Sequence, residues 1–375
     1  MPIRIRFLHT RFPHWGSRSG FTQFVRHLDG RRFRTVLDGA ADSDDDLPKW
    51  LAPVKPRLRA MIRRGGMPWY KLSDLMAELR ALPGSIGGRH HIVHFLDGEH
   101  SGQYLPRLVR SLRLPRPRMV ASFHQPPHLQ ETLINPEVVR WFDHVTVLSP
   151  AQVPFFRAFM PADRVHLLPH GVDTDFFRPP AKPRGNGRRM RCITVGHWLR
   201  DWDALRRVAE AFRTDTDVSF DVVTGNRTGL EHLPNVTHHR GIADARLAEL
   251  YRRADVLLLP LTECTANNAL LEGIASGLPV VTTDLAGVRF HLSGQGALLV
   301  APGDAEGLIG ALRRLQHDPE LRLTLGRRAR LRAEALAWPN VARGFAGLYE
   351  AMISGSRLPV ESRPWHRSGD KGRVR

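Results

Sequence analysis

Cysteine is scarce. The chain contains two, Cys192 and Cys264, and neither lies in a metal-ligand spacing. Two isolated thiols argue against a disulfide framework and make a reducing cytoplasm the simpler expectation. Long apolar runs are missing too. The longest, such as Val256 to Leu261, are strand-length, well short of the roughly 18 residues of a membrane span. Met1 to Trp15 holds no apolar stretch suited to a signal peptide. Any membrane role is therefore expected to be peripheral, at the inner face. Aromatic residues make up 8% of the chain and are not interleaved with its basic runs. A stacking platform for single strands needs that interleaving, so nucleic acid is not an expected partner. The 19 histidines form no zinc triad, because pairs such as His90-His91 and His238-His239 point apart on regular structure. Asp42, Asp44, Asp45 and Asp46 form an acidic run that either binds a cation or is a solvated loop.

Positive charge, in contrast, is abundant. The formal net charge is +18 over 375 residues, with arginine dominant. Nucleic acid, an anionic membrane surface or an anionic small substrate would each favour such an excess, and so would a GC-rich coding sequence. A substrate phosphate needs only a few cations and does not account for the whole. Hydrophobic residues reach 42%, enough for real cores, and the length fits two domains.

Those domains emerge from periodicity. Ile3 to His9 reads as a buried strand, followed by a loop containing Gly16 and Gly20. Phe21, Phe24, Val25 and Leu28 then mark one face of a helix. Further strands are expected at Ile92–Leu96, Met119–Ser122, Val145–Ser149 and Val165–Leu168. Residues 179–190, rich in Pro, Gly, Lys and Arg, read as a linker. A second alternating series follows, with strands at Cys192–Val195, Phe220–Val223, Val256–Pro260 and Pro279–Thr282. Its helices include Leu247–Tyr251, Asn268–Ser276, one starting at Asp304, one at Asp318-Pro319, and a last from about Asn340 to Met352. The expected division is residues 1–178, the linker, 191–353, and a loose basic tail over 354–375. Alternation of this kind implies parallel sheets, whose ligands bind beyond the carboxyl ends of the strands.

The strongest local signal runs from Pro260 to Val281. A strand leads into a loop of small and polar residues and then a helix starting near Asn267. A helix N-terminus suits a phosphate, with Ala266, Asn267 and Asn268 placed to meet it. Glu272 lies little more than one turn further in, where a carboxylate can accept two hydrogen bonds from a ribose diol; the alternative is a solvated helix residue. Read as a whole, Glu272-Gly273-Ile274-Ala275-Ser276-Gly277-Leu278-Pro279-Val280-Val281 resembles the second half of the glutamate-pair motif of glycosyltransferase family 4. Leu168 to Pro179, with its His170-Gly171-Val172-Asp173, resembles that family's segment before the linker. The resemblance covers residues 143–351 well and 3–122 weakly.

The resemblance implies the GT-B fold: two tandem Rossmann-like, doubly wound α/β domains facing a central cleft. It also implies a retaining, metal-independent glycosyltransferase, with no cofactor beyond its nucleotide-sugar co-substrate and a glycan, lipid-linked or small-molecule acceptor. Two departures qualify it. The first acid of the family pair falls on Cys264, with Glu263 one residue early. The family's arginine and lysine after the first C-terminal strand fall on His197 and Trp202, next to Gly196, leaving Arg200 as the nearest cation. Arg200 either supports the leaving diphosphate or is a surface residue paired with Asp201. His124 stands where the family places a histidine facing the donor sugar, or it is a structural histidine. The catalytic candidates are thus Arg200, His124 and Glu263, and the donor-binding candidates are Gly16, Gly20, Gly196, His197, Ala266, Asn267, Asn268 and Glu272. A non-catalytic nucleotide-sugar binder is the main alternative. A basic and apolar stretch from Trp50 to Tyr70, extended by Arg107, Arg110, Arg113, Arg116 and Arg118, is either an anionic-membrane dock or a solvated surface.

Overall fold

The computed structural model describes residues 1–12, 18–44, 49–112, 115–181 and 189–356. They form two compact units. One holds residues 1–12, 21–169 and 339–356, the other 18–20 and 170–338, each without the undescribed positions. Each is built on a six-stranded sheet in which every pairing is parallel.

The first unit contains β1 (Ile3–Arg11), β2 (Phe33–Ala41), β3 (Ile92–Phe95), β4 (Arg118–Phe123), β5 (His144–Val147) and β6 (Val165–Leu167), in the order β2-β1-β3-β4-β5-β6. Strand β3 is buried along its whole length, and its one polar residue, His94, is buried with the apolar ones. Strand β2 is an edge strand that exposes Arg34 to Leu37, so it carries no apolar run and escapes a periodicity reading. The helix expected from Phe21 is a 3-10 turn, Phe21–His27. With three residues per turn, Phe21 and Phe24 stack above one another and are buried, whereas Val25 and Leu28 lie at the margin.

The division of the chain differs from the expected 1–178 and 191–353. The last helix, Trp338–Ser354, starts two residues before Asn340 and packs with the first unit. Phe345 stacks on Phe24 with centroids 4.3 Å apart, and the Tyr349 hydroxyl bonds His94 Nδ1 at 2.7 Å. This aromatic floor is what the helix's apolar face buries. Residues 170–178, conversely, pack with the second unit: Val172 bridges to Ala337, and Arg330 donates to the carbonyls of Thr174 and Phe177.

The second unit contains β7 (Met190–Val195), β8 (Val218–Val223), β9 (Val236–His239), β10 (Val256–Leu259), β11 (Val280–Thr283) and β12 (Ala297–Val300), in the order β12-β11-β10-β7-β8-β9. Strand order reverses between β7 and β10. The loops leaving their carboxyl ends therefore diverge and open a crevice, the usual ligand position in such sheets. The helices expected at Asp304 and Asp318 start there, each aspartate accepting from a first-turn N–H, that of Gly307 or Leu321. Among the described residues no helix is long and apolar enough to cross a membrane. Most of the expected linker and tail, residues 182–188 and 357–375, lies outside the described residues.

Phe345→Ala removes the ring that stacks on Phe24, and a buried Phe-to-Ala change costs about 3–5 kcal/mol. Urea unfolding followed by tryptophan fluorescence should show a loss of that size. A loss below about 1 kcal/mol would mean that the last helix is not part of this core.

Candidate functional site

The crevice of the second unit is bounded by the loops after β7 and β10. Gly196 has φ +88, and a Cβ on it would stand 2.7 Å from Arg200 Nη2, so glycine is required twice over. Leu199 is also left-handed, at φ +56. That turn lets its carbonyl accept from Thr262 N–H at 3.1 Å, while Asp201 N–H donates to the Pro260 carbonyl at 3.1 Å. The two loops are thereby joined. Arg200 completes the join: Nε and Nη2 donate to the Val195 carbonyl at 2.9 and 2.6 Å, Nη1 to the Trp198 carbonyl at 2.9 Å, and Nη2 approaches Asn267 Oδ1 at 3.4 Å. Asp201 is not its partner; it caps the Trp202–Ala211 helix by accepting from Ala204 N–H. Among the described residues no carboxylate lies within ion-pair distance of Arg200, and burial pulls its guanidinium down to about 10. His197 is exposed at the outer edge of the same loop.

The loop after β10 leads into the Asn268–Ala275 helix. Asn267 is its cap and accepts from Leu270 N–H at 3.2 Å, while Ala266 and Asn268 are half-buried beside it. Glu272 is not a solvated helix residue: it is 5% exposed. Its Oε1 accepts from Ser19 Oγ at 2.7 Å and its Oε2 from the Tyr251 hydroxyl at 3.0 Å. Burial pushes its carboxyl up to about 7, opposed first by the Ser19 and Tyr251 hydrogen bonds. Cys264 is buried, with its thiol pushed up to about 12 by desolvation, which makes it a poor nucleophile or ligand. Glu263 is half-buried next to it.

Gly20, at φ +102, and Ser19 close a recess against Glu272 that retains only about 10 Å³ of free space. A larger cavity of about 430 Å³ lies among Asp255, Pro279, Arg322 and Leu331. Asp255 and Pro279 precede β10 and β11, so that cavity sits at the amino ends of the strands. The recess at Glu272 is the better candidate site, because the crevice opens at the carboxyl ends. The structure thus brings together Gly20, Gly196, Arg200, Ala266, Asn267, Asn268 and Glu272 in one unit. Gly16 lies outside the described residues. Ser19 and Tyr251 escaped the sequence reading. Tyr251 ends the apolar stripe of the Asp244–Arg253 helix and passes for core; the polar hydroxyl at its tip was the available signal.

His124 belongs to the first unit. Its Nε2 donates to the Leu96 carbonyl at 2.6 Å, its N–H donates to Glu99 Oε1 at 2.5 Å, and its ring meets the Phe21 ring edge-on at 4.8 Å. Asp97 accepts from Thr10 N–H at 2.8 Å, and burial pushes its carboxyl up to about 6. Asp97 and Glu99, which the sequence reading did not single out, therefore knit the end of β1 to the loops after β3 and β4. Within the acidic run, Asp42 pairs with Lys71 and Asp44 with Arg59, while Asp45 and Asp46 lie outside the described residues. In the basic stretch Trp50 is 73% exposed, Val54 and Met61 are exposed, and Arg57, Arg63 and Arg64 stand out beside them; Ile62, Met67 and Tyr70 are core. Arg113 is outside the described residues.

Comparison with known proteins gives relatives for the second unit and for the fold. Residues 190–318 match the family described as Glycosyl transferases group 1. A D-inositol 3-phosphate glycosyltransferase of Acidothermus cellulolyticus is 31% identical over 55% of this chain and 52% of its own length. The chain thus spans about half the length of that relative. One of the same description from Segniliparus rotundus is 23% identical over 95% of this chain and 90% of its own. Among solved structures, a sucrose-phosphate synthase from Thermosynechococcus elongatus superimposes with a TM-score of 0.67 at 17% identity, covering 94% of this chain and 100% of that one. The fold is GT-B.

The raised carboxyl of Glu272 has a consequence for stability. Between pH 4.5 and about 7 the folded chain keeps a proton that the unfolded chain has released. The stability this contributes is full below pH 4.5 and is lost as pH rises through 7. Relative to Glu272→Gln, which does not titrate, the wild-type chain should therefore lose up to about 3 kcal/mol from pH 5 to pH 8. Paired denaturation curves across that range measure it, and parallel pH dependences would show that Glu272 titrates normally.

Proposed function

We propose, from the premise that the chain belongs through its C-terminal unit to the group 1 glycosyl transferases, that it moves a sugar from a nucleotide-sugar donor to a glycan, lipid-linked or small-molecule acceptor. The observation that carries this reading is the buried carboxylate of Glu272, one turn inside a helix whose capped start lies beside Arg200, a cation with no carboxylate partner among the described residues. A ribose diol would bond Glu272. The diphosphate would meet the helix start, with Arg200 at the loop behind it. Charge on the departing diphosphate then builds up where positive ends are already fixed and need no reorganisation.

Retention of configuration and independence of a metal are part of the proposal. In a front-face reaction the leaving phosphate oxygen itself takes the acceptor's proton, so no side chain need serve as base. The acceptor is assigned to the first unit, where Asp97, Glu99 and His124 sit at the carboxyl ends of β3 and β4. One observation favours a second reading, a donor-binding protein without turnover: Cys264 stands at the family's first acid, and Arg200 spends four contacts on its own loops.

A thermal-shift panel of UDP-, GDP- and ADP-sugars identifies the donor by mass action. Glu272→Gln should then weaken binding of that donor by about 1.5–3 kcal/mol. Wild-type affinity and turnover in this variant would remove Glu272 from the donor site. Turnover should persist in EDTA, and binding without turnover of any acceptor would favour the second reading.

A peripheral membrane role is proposed from the exposed side of the basic stretch. Trp50, Val54 and Met61 suit the lipid interface, and each of Arg57, Arg63 and Arg64 near an anionic surface adds about 1 kcal/mol of attraction. In vesicle sedimentation, binding should rise with anionic lipid, fall with salt, and weaken when Arg57, Arg63 and Arg64 become Glu. No binding at low salt would leave a soluble acceptor.

A further inference from the structure

We propose that Tyr251 is a positioning residue of the donor site: its hydroxyl holds Oε2 of Glu272 from inside the unit, so that Oε1 is the oxygen offered to a ligand hydroxyl. The inference rests on the reading that Glu272 receives the donor.

The two carboxylate oxygens have different neighbours. Oε2 lies 3.0 Å from the hydroxyl of Tyr251, a side chain with no solvent exposure, carried by the Asp244–Arg253 helix. The same hydroxyl is 3.4 Å from the Ala269 carbonyl. With a single hydrogen to give, the phenol donates to the shorter and charged acceptor. The Tyr251 ring is fixed in turn by an edge-on contact with Phe177 at 5.9 Å, so the hydroxyl cannot follow the carboxylate if it swings. Oε1, on the other side, meets an aliphatic hydroxyl, that of Ser19 at 2.7 Å, in the recess beside Gly20. A serine hydroxyl is the chemical equivalent of one ribose hydroxyl. Its place at Oε1 marks the oxygen through which this carboxylate receives an alcohol.

Holding Oε2 also governs ionisation. A carboxylate this buried needs donors to stay charged, and only a charged carboxylate accepts strongly from a diol. Among the described residues, the groups that bear on it are few. Ser19 and Tyr251 bond it, Asp244 at the start of the Tyr251 helix opposes its charge, and Arg200 favours it. Arg18 and His170 line the same recess. When a ligand replaces Ser19, Tyr251 is the donor that remains among the described residues.

Tyr251→Phe keeps the ring and removes only the hydroxyl. The wild-type chain and this variant, labelled with ¹³C-glutamate, would be titrated by NMR, with the Glu272 resonance assigned through Glu272→Gln. The wild-type midpoint is expected near pH 7, and in Tyr251→Phe about one unit higher, the loss of one hydrogen bond to a charged group. Dissociation constants would be measured from pH 6 to 9 for whichever of UDP-glucose, GDP-mannose and ADP-glucose most stabilises the wild-type chain. Tyr251→Phe should bind it about fivefold more weakly at pH 7, following from a one-unit shift, with the gap narrowing towards pH 9. In the Glu272→Gln background Tyr251→Phe should cost nothing further. An unmoved NMR midpoint, or a gap that does not change with pH, would overturn the proposal and leave Tyr251 as core packing. If instead Glu272→Gln binds as the wild type does, or none of the three donors binds, the donor reading itself fails and the proposal with it. The NMR midpoint still shows whether Tyr251 holds the carboxylate, so the two failures are distinguishable.

Discussion

The guanidinium of Arg200 ties together two loops that the sheet itself drives apart. Strand order reverses between β7 and β10, so the backbone turns away in opposite directions on leaving each strand. Arg200 spans the gap by giving hydrogens to Val195 and Trp198 on its own side and approaching Asn267 on the other. The left-handed Gly196 leaves space for it, and the left-handed Leu199 aims the carbonyl that Thr262 pairs with. The start of the Asn268–Ala275 helix, and with it Glu272, is placed by this join.

Burying Glu272 and half-burying Arg200 in one unit without a direct ion pair is costly, and both side chains register that cost. Desolvation lowers the Arg200 guanidinium to about 10 and raises the Glu272 carboxyl to about 7. Each is stabilised by neutral dipoles: carbonyls around the cation, hydroxyls around the anion. Such an arrangement leaves both charges able to gain from a ligand of matching polarity, which a closed salt bridge would not. Loss of Ser19 from Oε1 would have to be matched by a ligand hydroxyl, since an unfilled acceptor at this depth is expensive.

The first unit uses carboxylates differently. Glu78, fully buried, accepts from the N–H groups of Gly102, Gln103, Tyr104 and Leu105 and so pins the loop after β3 to the start of the next helix. Glu99 does the same for the loop after β4, through His124 and Gln125. These acids satisfy backbone donors at the carboxyl ends of the strands and hold His124 in a fixed orientation.

Apolar periodicity by itself determined most strands of both sheets, the aspartate-capped helices at Asp304 and Asp318, and the crossing from β10 into the Asn267 helix, because buried parallel strands and capped helix starts are local patterns. It did not register β2 or β9, whose mostly exposed or half-buried residues leave no apolar run, nor the edge strand β12. Nor did it register the 3-10 geometry at Phe21, where a three-residue repeat and a helical one share the pair Phe21 and Phe24. The candidate site was half legible. Glu272 and Asn267 stand in a recognisable string and Gly196 just after a recognisable strand, but their burial and partners depend on residues distant in the chain. Ser19 is 253 positions from Glu272, and Tyr251 is 21. The return of the last helix to the first unit and the choice of hydroxyls around Glu272 were decided only by tertiary structure. An apolar helix face is written in the sequence, but the surface that buries it is not, and a carboxylate's ionisation depends on neighbours that only folding brings within hydrogen-bond reach.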